Sequence, residues 1–443
     1  MLPEAFISLL QESYSVETVR RLCAALAEVP SVSVRRNPAK ISAEALQEHF
    51  EENVDGAVEW APEGLYLKKR PSFTLDPLFH TGAYYVQEAS SMAIGALLKK
   101  AFPDAGQTDL RVLDLCAAPG GKSTHLASLI NPQSLLVSNE VMQQRATVLA
   151  DNLALWGMPN VVVTNNDPAD FGRLESYFDL ILVDAPCSGE GMFRKDEASV
   201  TEWSPNTVRL CAARQRRILA DSWPALRPGG MLIYSTCTFN HFEDEDNTDW
   251  ICRELGGECL EQRHFLPGTD RGEGFYCALI RKTGGASRKV IRTSRSKAPA
   301  DAQAKEAENL ILPGFTLRER VTREGLRLLK AYPETLAAEI EALAQPLKVL
   351  RSGVAVATVK GRDLIPEADL ACSTAFNNDA YPRVELDRED ALRYLAHEPL
   401  LFQDRLKGYL TLCFKGLPLG FVKNLGNRAN TLHPLSRRIR MEI

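Results

Sequence analysis

Consecutive apolar runs alternate with amphipathic stretches through the middle of the chain, and the alternation predicts strand and helix in turn. The strands read from these runs are Val112 to Leu115, Leu135 to Ser138, Val161 to Asn165, Leu180 to Asp184 and Met231 to Ser235, then a closing pair around Cys259 to His264 and Phe275 to Arg281. Helices are expected between them at Lys122 to Ile130, Gln143 to Trp156, Asn206 to Leu226 and Asp244 to Leu255. Strand alternating with helix predicts an α/β unit, with a largely parallel sheet covered on both faces. Two adjacent strand signals at its end, with no helix between, predict an antiparallel hairpin at one edge.

The flanks follow other patterns. Residues 1–75 predict a small α+β domain, with helices at Pro3 to Glu12 and Ser15 to Glu28 and strand-like pieces at Val32 to Val34 and Gly64 to Leu67. The second helix has Val19, Leu22, Leu26 and Val29 at helical spacing behind a serine cap. A further helix from about Gln87 opens the central unit, bounded here at residues 76–283. Residues 284–310 read as a basic linker, and residues 311–443 as a C-terminal region of one or two subdomains. Its helices are expected near Glu334 to Ala344 and Arg388 to His397, and its strands near Gly353 to Val359 and Tyr409 to Phe414.

Composition narrows the class. A chain of 443 residues with 45% hydrophobic and 25% charged residues is globular and long enough for two to four domains. No apolar run approaches the roughly 18–20 residues of a membrane span. The N-terminus lacks a basic stretch followed by a cleavage pattern, so a cytoplasmic protein with no membrane partner is expected. Ten cysteines without a Cys-x-x-Cys pair predict free thiols, with neither a disulfide framework nor a metal site. A net charge of -5 argues against a uniformly basic nucleic-acid binder and directs attention to local patches. One holds Arg281, Lys282, Arg288, Lys289, Arg292, Arg295 and Lys297 with no acidic residue; the tail holds Lys415, Lys423, Arg428, Arg437, Arg438 and Arg440. Each reads as a solvated segment or as a contact for RNA phosphates.

Candidate chemistry gathers at the predicted strand ends, where ligands of open α/β sheets bind. The strand Leu180 to Asp184 runs into Ala185-Pro186-Cys187-Ser188-Gly189 and so places a carboxylate and a thiol together. The first strand runs into Cys116-Ala117-Ala118-Pro119-Gly120-Gly121-Lys122 at a helix start, where free amides suit an anion. A phosphate-binding Walker loop would need glycine at position 116, and the dinucleotide fingerprint is absent. S-adenosylmethionine is the better guest. Glu140 ends the second strand where it can accept from a ribose diol, and Asp167 ends the third where it can accept from the adenine amine.

These motifs carry a resemblance. Leu115 to Lys122, Asp184-Ala-Pro-Cys-Ser-Gly189, Tyr234-Ser-Thr-Cys237 and the upstream Gly82-Ala-Tyr-Tyr-Val-Gln-Glu-Ala-Ser-Ser91 together resemble the Sun-type, or nucleolar-protein, family of RNA cytosine-5 methyltransferases. Arg36-Asn-Pro38, Gly416-Leu-Pro-Leu-Gly420 and His433-Pro434 resemble its members that act on small-subunit ribosomal RNA. The resemblance implies a Rossmann-like S-adenosylmethionine-dependent methyltransferase domain, a small N-terminal α+β domain and a C-terminal PUA-like RNA-binding region. It implies a donor site formed by Cys116, Ala117, Ala118, Pro119, Gly120, Gly121, Lys122, Glu140, Asp167 and Asp184. It further implies Cys237 as the nucleophile that adds to carbon-6 of cytosine, Cys187 as an aid to product release, and small-subunit ribosomal RNA as partner, with transfer RNA the alternative. Asp184 is also a candidate to orient the cytosine edge, and Lys122, Arg194 and Lys195 are candidate phosphate contacts. The converse assignment, with Cys187 as nucleophile, stays open at this point. So do an RNA-binding assembly factor and, less well fitted, a nucleotide hydrolase.

Overall fold

A computed structural model describes residues 2–442 apart from 286–287, 292, 294–297, 323, 403–404 and 406. Its centre is one eight-stranded sheet. The strands are β1 (Arg111–Asp114), β2 (Leu135–Asn139), β3 (Val161–Thr164), β4 (Phe178–Asp184), β5 (Leu226–Thr236), β6 (Gly257–Phe265), β7 (Phe275–Lys282) and β8 (Val349–Ser352), in the order β6-β7-β5-β4-β1-β2-β3-β8. The strands β1 to β5 run parallel, while β6 and β7 form the expected antiparallel hairpin against β5.

Successive residues of a strand face opposite sides, and both sides are buried here. Leu180 and Leu182 of β4 join a core with Leu126 of α1 (Gly121–Leu129) and Leu149 and Leu153 of α2 (Gln143–Trp156). Ile181 and Val183 join a second core with Ile218 and Leu219 of α3 (Pro205–Ser222) and Ile251 of α4 (Glu245–Glu254). The chain reverses its direction of winding between β1 and β4, so the loops after these strands diverge and leave a crevice.

The flanking units are more entangled than their sequence boundaries suggest. Strand Tyr84–Val86 pairs with Val32–Arg36, so the four-stranded N-terminal sheet extends past residue 75 and also includes Val54–Val58 and Ala61–Leu67. Helix Ala43–Phe50 was not expected. The helix expected from Gln87 starts later, as a 3-10 turn at Ser90–Ala93 continuing into Ile94–Ala101, because Gln87 is engaged by Arg35 and Glu88 stands outside the turn, accepting from the Ser90 and Ser91 amides. Strand β8 lies in the expected C-terminal region yet pairs antiparallel with β3. The rest of that region holds two four-stranded sheets, at residues 315–366 and 383–431. The second shares a core with the N-terminal sheet: Val34, Leu65 and Tyr84 pack with Leu392, Leu410 and Leu412.

The basic linker is largely exposed where it is described, but the cations of its patch there are held by partners. Arg281 pairs with Glu258 at 2.6 Å, Arg288 with Asp179 at 2.9 Å and Lys289 with Glu175 at 2.5 Å. Lys282 donates to the carbonyls of Trp223 and Leu226. Arg292, Arg295 and Lys297 lie outside the described residues. No described helix is long and apolar enough to cross a membrane.

Candidate active site

A cavity of about 410 Å³ opens at the carboxyl ends of β1 to β5. Of the residues singled out in the sequence, Cys116, Ala118, Glu140, Asp167, Asp184, Cys187 and Cys237 line it. Ala117, Pro119, Gly121 and Lys122 line a second cavity of about 470 Å³ between the N-terminal sheet and the central unit. Cys116, Ala118, Asp184 and Cys237 line both, so the two spaces meet there. Gly120 lines neither. Its φ of 117° lets the chain turn into α1, and its carbonyl accepts from the Thr124 amide at 2.8 Å.

In the strand-end cavity Glu140 is 3% exposed, with Oε1 accepting from the Met142 amide at 2.9 Å and Oε2 3.5 Å from Arg145. Asp167 is more open and caps the following 3-10 turn through the Ala169 amide at 3.1 Å. Val141, Arg145, Arg214, Arg217 and Ile218 complete much of the wall and were not anticipated. The two arginines of α3 gave no sequence signal, because the side of the helix facing a cavity is set by packing. Arg214 has no ion-pair or hydrogen-bond partner among the described residues.

Asp184 stands where the cavities join. Oδ1 accepts from the Ser235 hydroxyl and Oδ2 from the Lys122 ammonium, each at 2.8 Å. Burial works against the Lys122 charge, but Asp184 outweighs it, joined by Asp114 and Cys237, and the ammonium is held above its ordinary value. Lys122 is thus an internal partner of Asp184 rather than a free phosphate contact. Asp114 lies behind this pair, fully buried, with Oδ2 accepting from the Ser123 hydroxyl at 2.6 Å and Oδ1 without a partner. Burial, reinforced by Asp184 and opposed by the Ser123 bond, pushes it up to about 7.

The two turn cysteines converge from different strands, with Cys187 Sγ 3.0 Å from Cys237 Sγ. The hydrogen bond to Cys237, then burial and the charge of Glu243, push the Cys187 thiol well up, so it keeps its proton. Burial also pushes up the Cys116 thiol, which identifies it as an inert wall residue.

Two buried acids that none of the sequence motifs singled out stitch the cysteine loops together. Glu243, which follows Cys237, accepts from the Ser188 amide at 3.0 Å and from Gln215 at 2.7 Å. Glu190, which follows Cys187, accepts from the Phe239 amide at 2.7 Å and from Asn240 and Trp203. Burial, then the charge of Glu243, pushes Glu190 up to about 7. The Gly191 amide donates to the Cys237 carbonyl at 2.8 Å, and a Cβ on Gly191 would come within 2.5 Å of the Gly274 carbonyl oxygen. Only glycine permits that approach. Nearby, Asp244, Glu245 and His264 bring atoms of ligand type within 4.8 Å of one another, a grouping invisible in their spacing.

The interdomain cavity draws on the leading motif at Tyr85, Gln87 and Glu88, on Lys195, and on the start of β7 at Phe275. Fully buried Arg35 ties it together, donating to Gln87 Oε1 at 2.7 Å and to the Thr124 hydroxyl at 2.6 Å, and desolvation lowers its guanidinium to about 9. Arg35 precedes the quoted Arg36-Asn-Pro38 and was overlooked, since an arginine in a strand reads as exposed. Arg194 is also structural: it pairs with Glu273 at 2.7 Å and donates to the Gly272 carbonyl. Lys195 lines the cavity, 4.0 Å from Glu273.

Comparison with known proteins finds three matching stretches of the chain. Residues 103–281 match the family described as 16S rRNA methyltransferase RsmB/F, residues 2–89 the N-terminal domain of 16S rRNA methyltransferase RsmF, and residues 381–439 the methyltransferase RsmF PUA domain. Ribosomal RNA small subunit methyltransferase F of Aliivibrio fischeri is 32% identical, with 96% of this chain and 95% of that protein aligned. Its namesake from Cronobacter sakazakii is 36% identical over a shorter alignment, covering 64% of this chain and 63% of that one. A solved methyltransferase homolog protein from Pyrococcus horikoshii superimposes with a TM-score of 0.54 at 29% identity, covering 64% of this chain and all of that one.

Proposed function

The chain belongs to the RsmB/F family of 16S rRNA methyltransferases, which are RNA cytosine-5 methyltransferases, and from that premise we propose that it methylates carbon-5 of cytosine in small-subunit ribosomal RNA through a covalent adduct of Cys237 at carbon-6. The strand-end cavity fits S-adenosylmethionine by the chemistry of its walls. Glu140 and Asp167 offer acceptors for a diol and an amine, unpartnered Arg214 faces the space a carboxylate needs, and Leu115 and Ile218 supply apolar contact. When bound there, the donor supplies an electrophilic methyl group. Lys122, which a phosphate-binding loop would turn toward nucleotide, is neutralised by Asp184 and lines the other cavity.

One observation carries the assignment of the nucleophile: Cys237 lines both cavities, whereas Cys187 lines only the strand-end one. A nucleophile must touch the target base, and the interdomain cavity is the space left for it. The Cys237 thiol gives its proton to water, and the sulfur, beside the Lys122 ammonium, adds to carbon-6. Electron density moves to carbon-5, which would take the methyl as its bond to the donor sulfonium breaks and a neutral thioether leaves. Asp184, 31% exposed at its side chain, has lone pairs left to accept from the cytosine amine. The carbon-5 proton then passes to water, and the electron pair of the sulfur–carbon bond returns to Cys237. Cys187, still holding its proton 3.0 Å away, donates to that departing sulfur and so assists release.

The test is to map 5-methylcytosine in ribosomal RNA from a deletion strain complemented with wild-type protein or with Cys237→Ala. We expect a modification that is lost on deletion, restored by the wild type and not by the variant. Full methylation in the deletion strain overturns the reading.

A further inference from the structure

We propose that a second RNA-contacting surface, separate from the C-terminal PUA region, lies in the groove beside the interdomain cavity, where Lys68, Lys69 and Arg70 receive phosphates of the strand flanking the target base. The inference rests on the RNA methyltransferase reading above and adds the path of the substrate. The groove, about 580 Å³, runs between the N-terminal sheet and the loop at residues 268–272. It adjoins the interdomain cavity through neighbouring residues: Arg194 and Gly272 line the groove, while Lys195 and Glu273 line the cavity that contains Cys237.

These three cations are free among the described residues, as are Arg214 of the strand-end cavity and Arg428 and Arg440 of the tail, but only here do three stand in a row. Elsewhere the basic patches are largely spent on the protein itself: Arg281, Arg288 and Lys289 of the linker are paired, as are Lys423 with Asp363 and Arg437 with Asp369 in the tail. Lys68, Lys69 and Arg70 are exposed and make no ion pair among the described residues. The carboxylates of the groove do not oppose them strongly, because Asp55 is taken by Arg271 and Asp270 by Arg263, leaving Glu28 alone without an ion pair among the described residues.

The cations are also presented on fixed backbone. Asn53 clamps the segment after strand Ala61–Leu67: its carbonyl accepts from the Lys68 amide at 2.8 Å, its Oδ1 accepts from the Lys69 amide at 3.0 Å, and its Nδ2 donates to the Lys69 carbonyl at 3.1 Å. The Arg70 guanidinium lies 5.3 Å from the centroid of the Phe73 ring. Less backbone freedom is therefore lost when phosphates bind.

The experiment uses full-length protein carrying Lys68→Glu, Lys69→Glu and Arg70→Glu together, with a transcript of small-subunit ribosomal RNA as probe at several salt concentrations. Three lost phosphate contacts should reduce the slope of log affinity against log salt by about 2 and weaken binding at least about tenfold, since each contact releases counterions. The charge-keeping variant Lys68→Arg, Lys69→Arg, Arg70→Lys should bind as the wild type does. S-adenosylmethionine affinity should be unchanged in both, which separates a lost contact from a lost fold. If the charge-reversed protein binds and methylates the RNA with wild-type affinity and salt slope, the groove proposal is overturned while the methyltransferase reading stands. If the wild type neither binds nor methylates the transcript or the assembled subunit, the reading beneath it falls instead.

Discussion

The two cavities that meet at Asp184 and Cys237 are built in opposite ways. The strand-end cavity takes its walls from one continuous α/β unit, residues 115 to 237, and each wall follows from a strand ending where the parallel sheet requires it. The interdomain cavity is assembled from residues 85–91, 116–122, 184–195, 237 and 273–275, held by Arg35 from a different sheet. The difference teaches that one wall can change without the other. Apart from Cys187, which touches Cys237, variants on the strand-end side should alter donor affinity alone, variants on the interdomain side RNA affinity alone, and only the shared residues both.

The largest effect is expected where the two meet. Cys237→Ala should lower methylation by at least about a thousandfold and form no adduct, since the proposed nucleophile is gone. Cys187→Ala should still form the bond but resolve it poorly, so a covalent RNA–protein species accumulates on denaturing gels and disappears in the double variant. Trapping by Cys237→Ala instead would reverse the assignment.

Next is the pH dependence of stability set by Asp114 behind the strand-end wall. An unfolded aspartate has its ordinary value near 3.8 and the folded one about 7, so the folded state holds the proton more tightly. Its neutral form therefore favours folding at low pH, and stability is lost as pH rises from about 4 to about 7. At about 1.36 kcal/mol per unit the loss is at most about 4 kcal/mol. In Asp114→Asn that loss should vanish, so denaturation midpoints of variant and wild type should diverge across this window and stay parallel above it. Parallel curves throughout would refute the buried-acid account.

Glu140→Ala should weaken S-adenosylmethionine binding by roughly 1–3 kcal/mol, the value of hydrogen bonds to a charged acceptor, and leave RNA affinity unchanged. Calorimetry that finds donor affinity intact would remove Glu140 from the donor wall. The smallest effect is expected from Lys195→Ala on the other side. This partly exposed cation, 4.0 Å from Glu273, should alter RNA affinity by about 1 kcal/mol or less and donor affinity not at all. A shift in donor affinity alone would show that the cavities are coupled more widely than their shared walls.

The regularity of the central unit was legible residue by residue. Helix α2 occupies Gln143–Trp156 as the apolar spacing predicted, and β1 to β4 and β7 fall within a few residues of the expected runs, because a strand buried on both faces leaves an uninterrupted apolar signature. By contrast, β6 is mostly exposed and β5 starts five residues early. The flanks were less legible. Short half-exposed strands such as Ala429–Thr431 and Arg383–Glu385 carry few apolar residues and take their stability from neighbours. The separateness of the C-terminal region was an expectation the packing does not support. Removing residues from Phe315 onward takes away β8, the Arg111–Glu339 ion pair and half of the core shared with the N-terminal sheet, so truncation would unsettle the catalytic unit as well.

By itself the sequence determined the α/β unit, the ordered series Cys116, Glu140, Asp167, Asp184 and Cys237 at its strand ends, and the chemistry those residue types imply. These are local facts: a parallel strand–helix repeat brings every carboxyl end to one edge, whatever else the chain does. Only the tertiary structure decided that Cys187 and Cys237, fifty positions apart, touch at 3.0 Å. It likewise decided that Glu190 and Glu243 lock their loops, that Lys122 and Arg194 serve the protein while Lys68, Lys69 and Arg70 stay free, and that the first and last sheets share a core. The physical reason is that periodicity encodes whether a side chain is buried but not what it is buried against. That choice is made when distant segments close on one another, and the contacts then formed decide which charges are neutralised and which are left for a ligand.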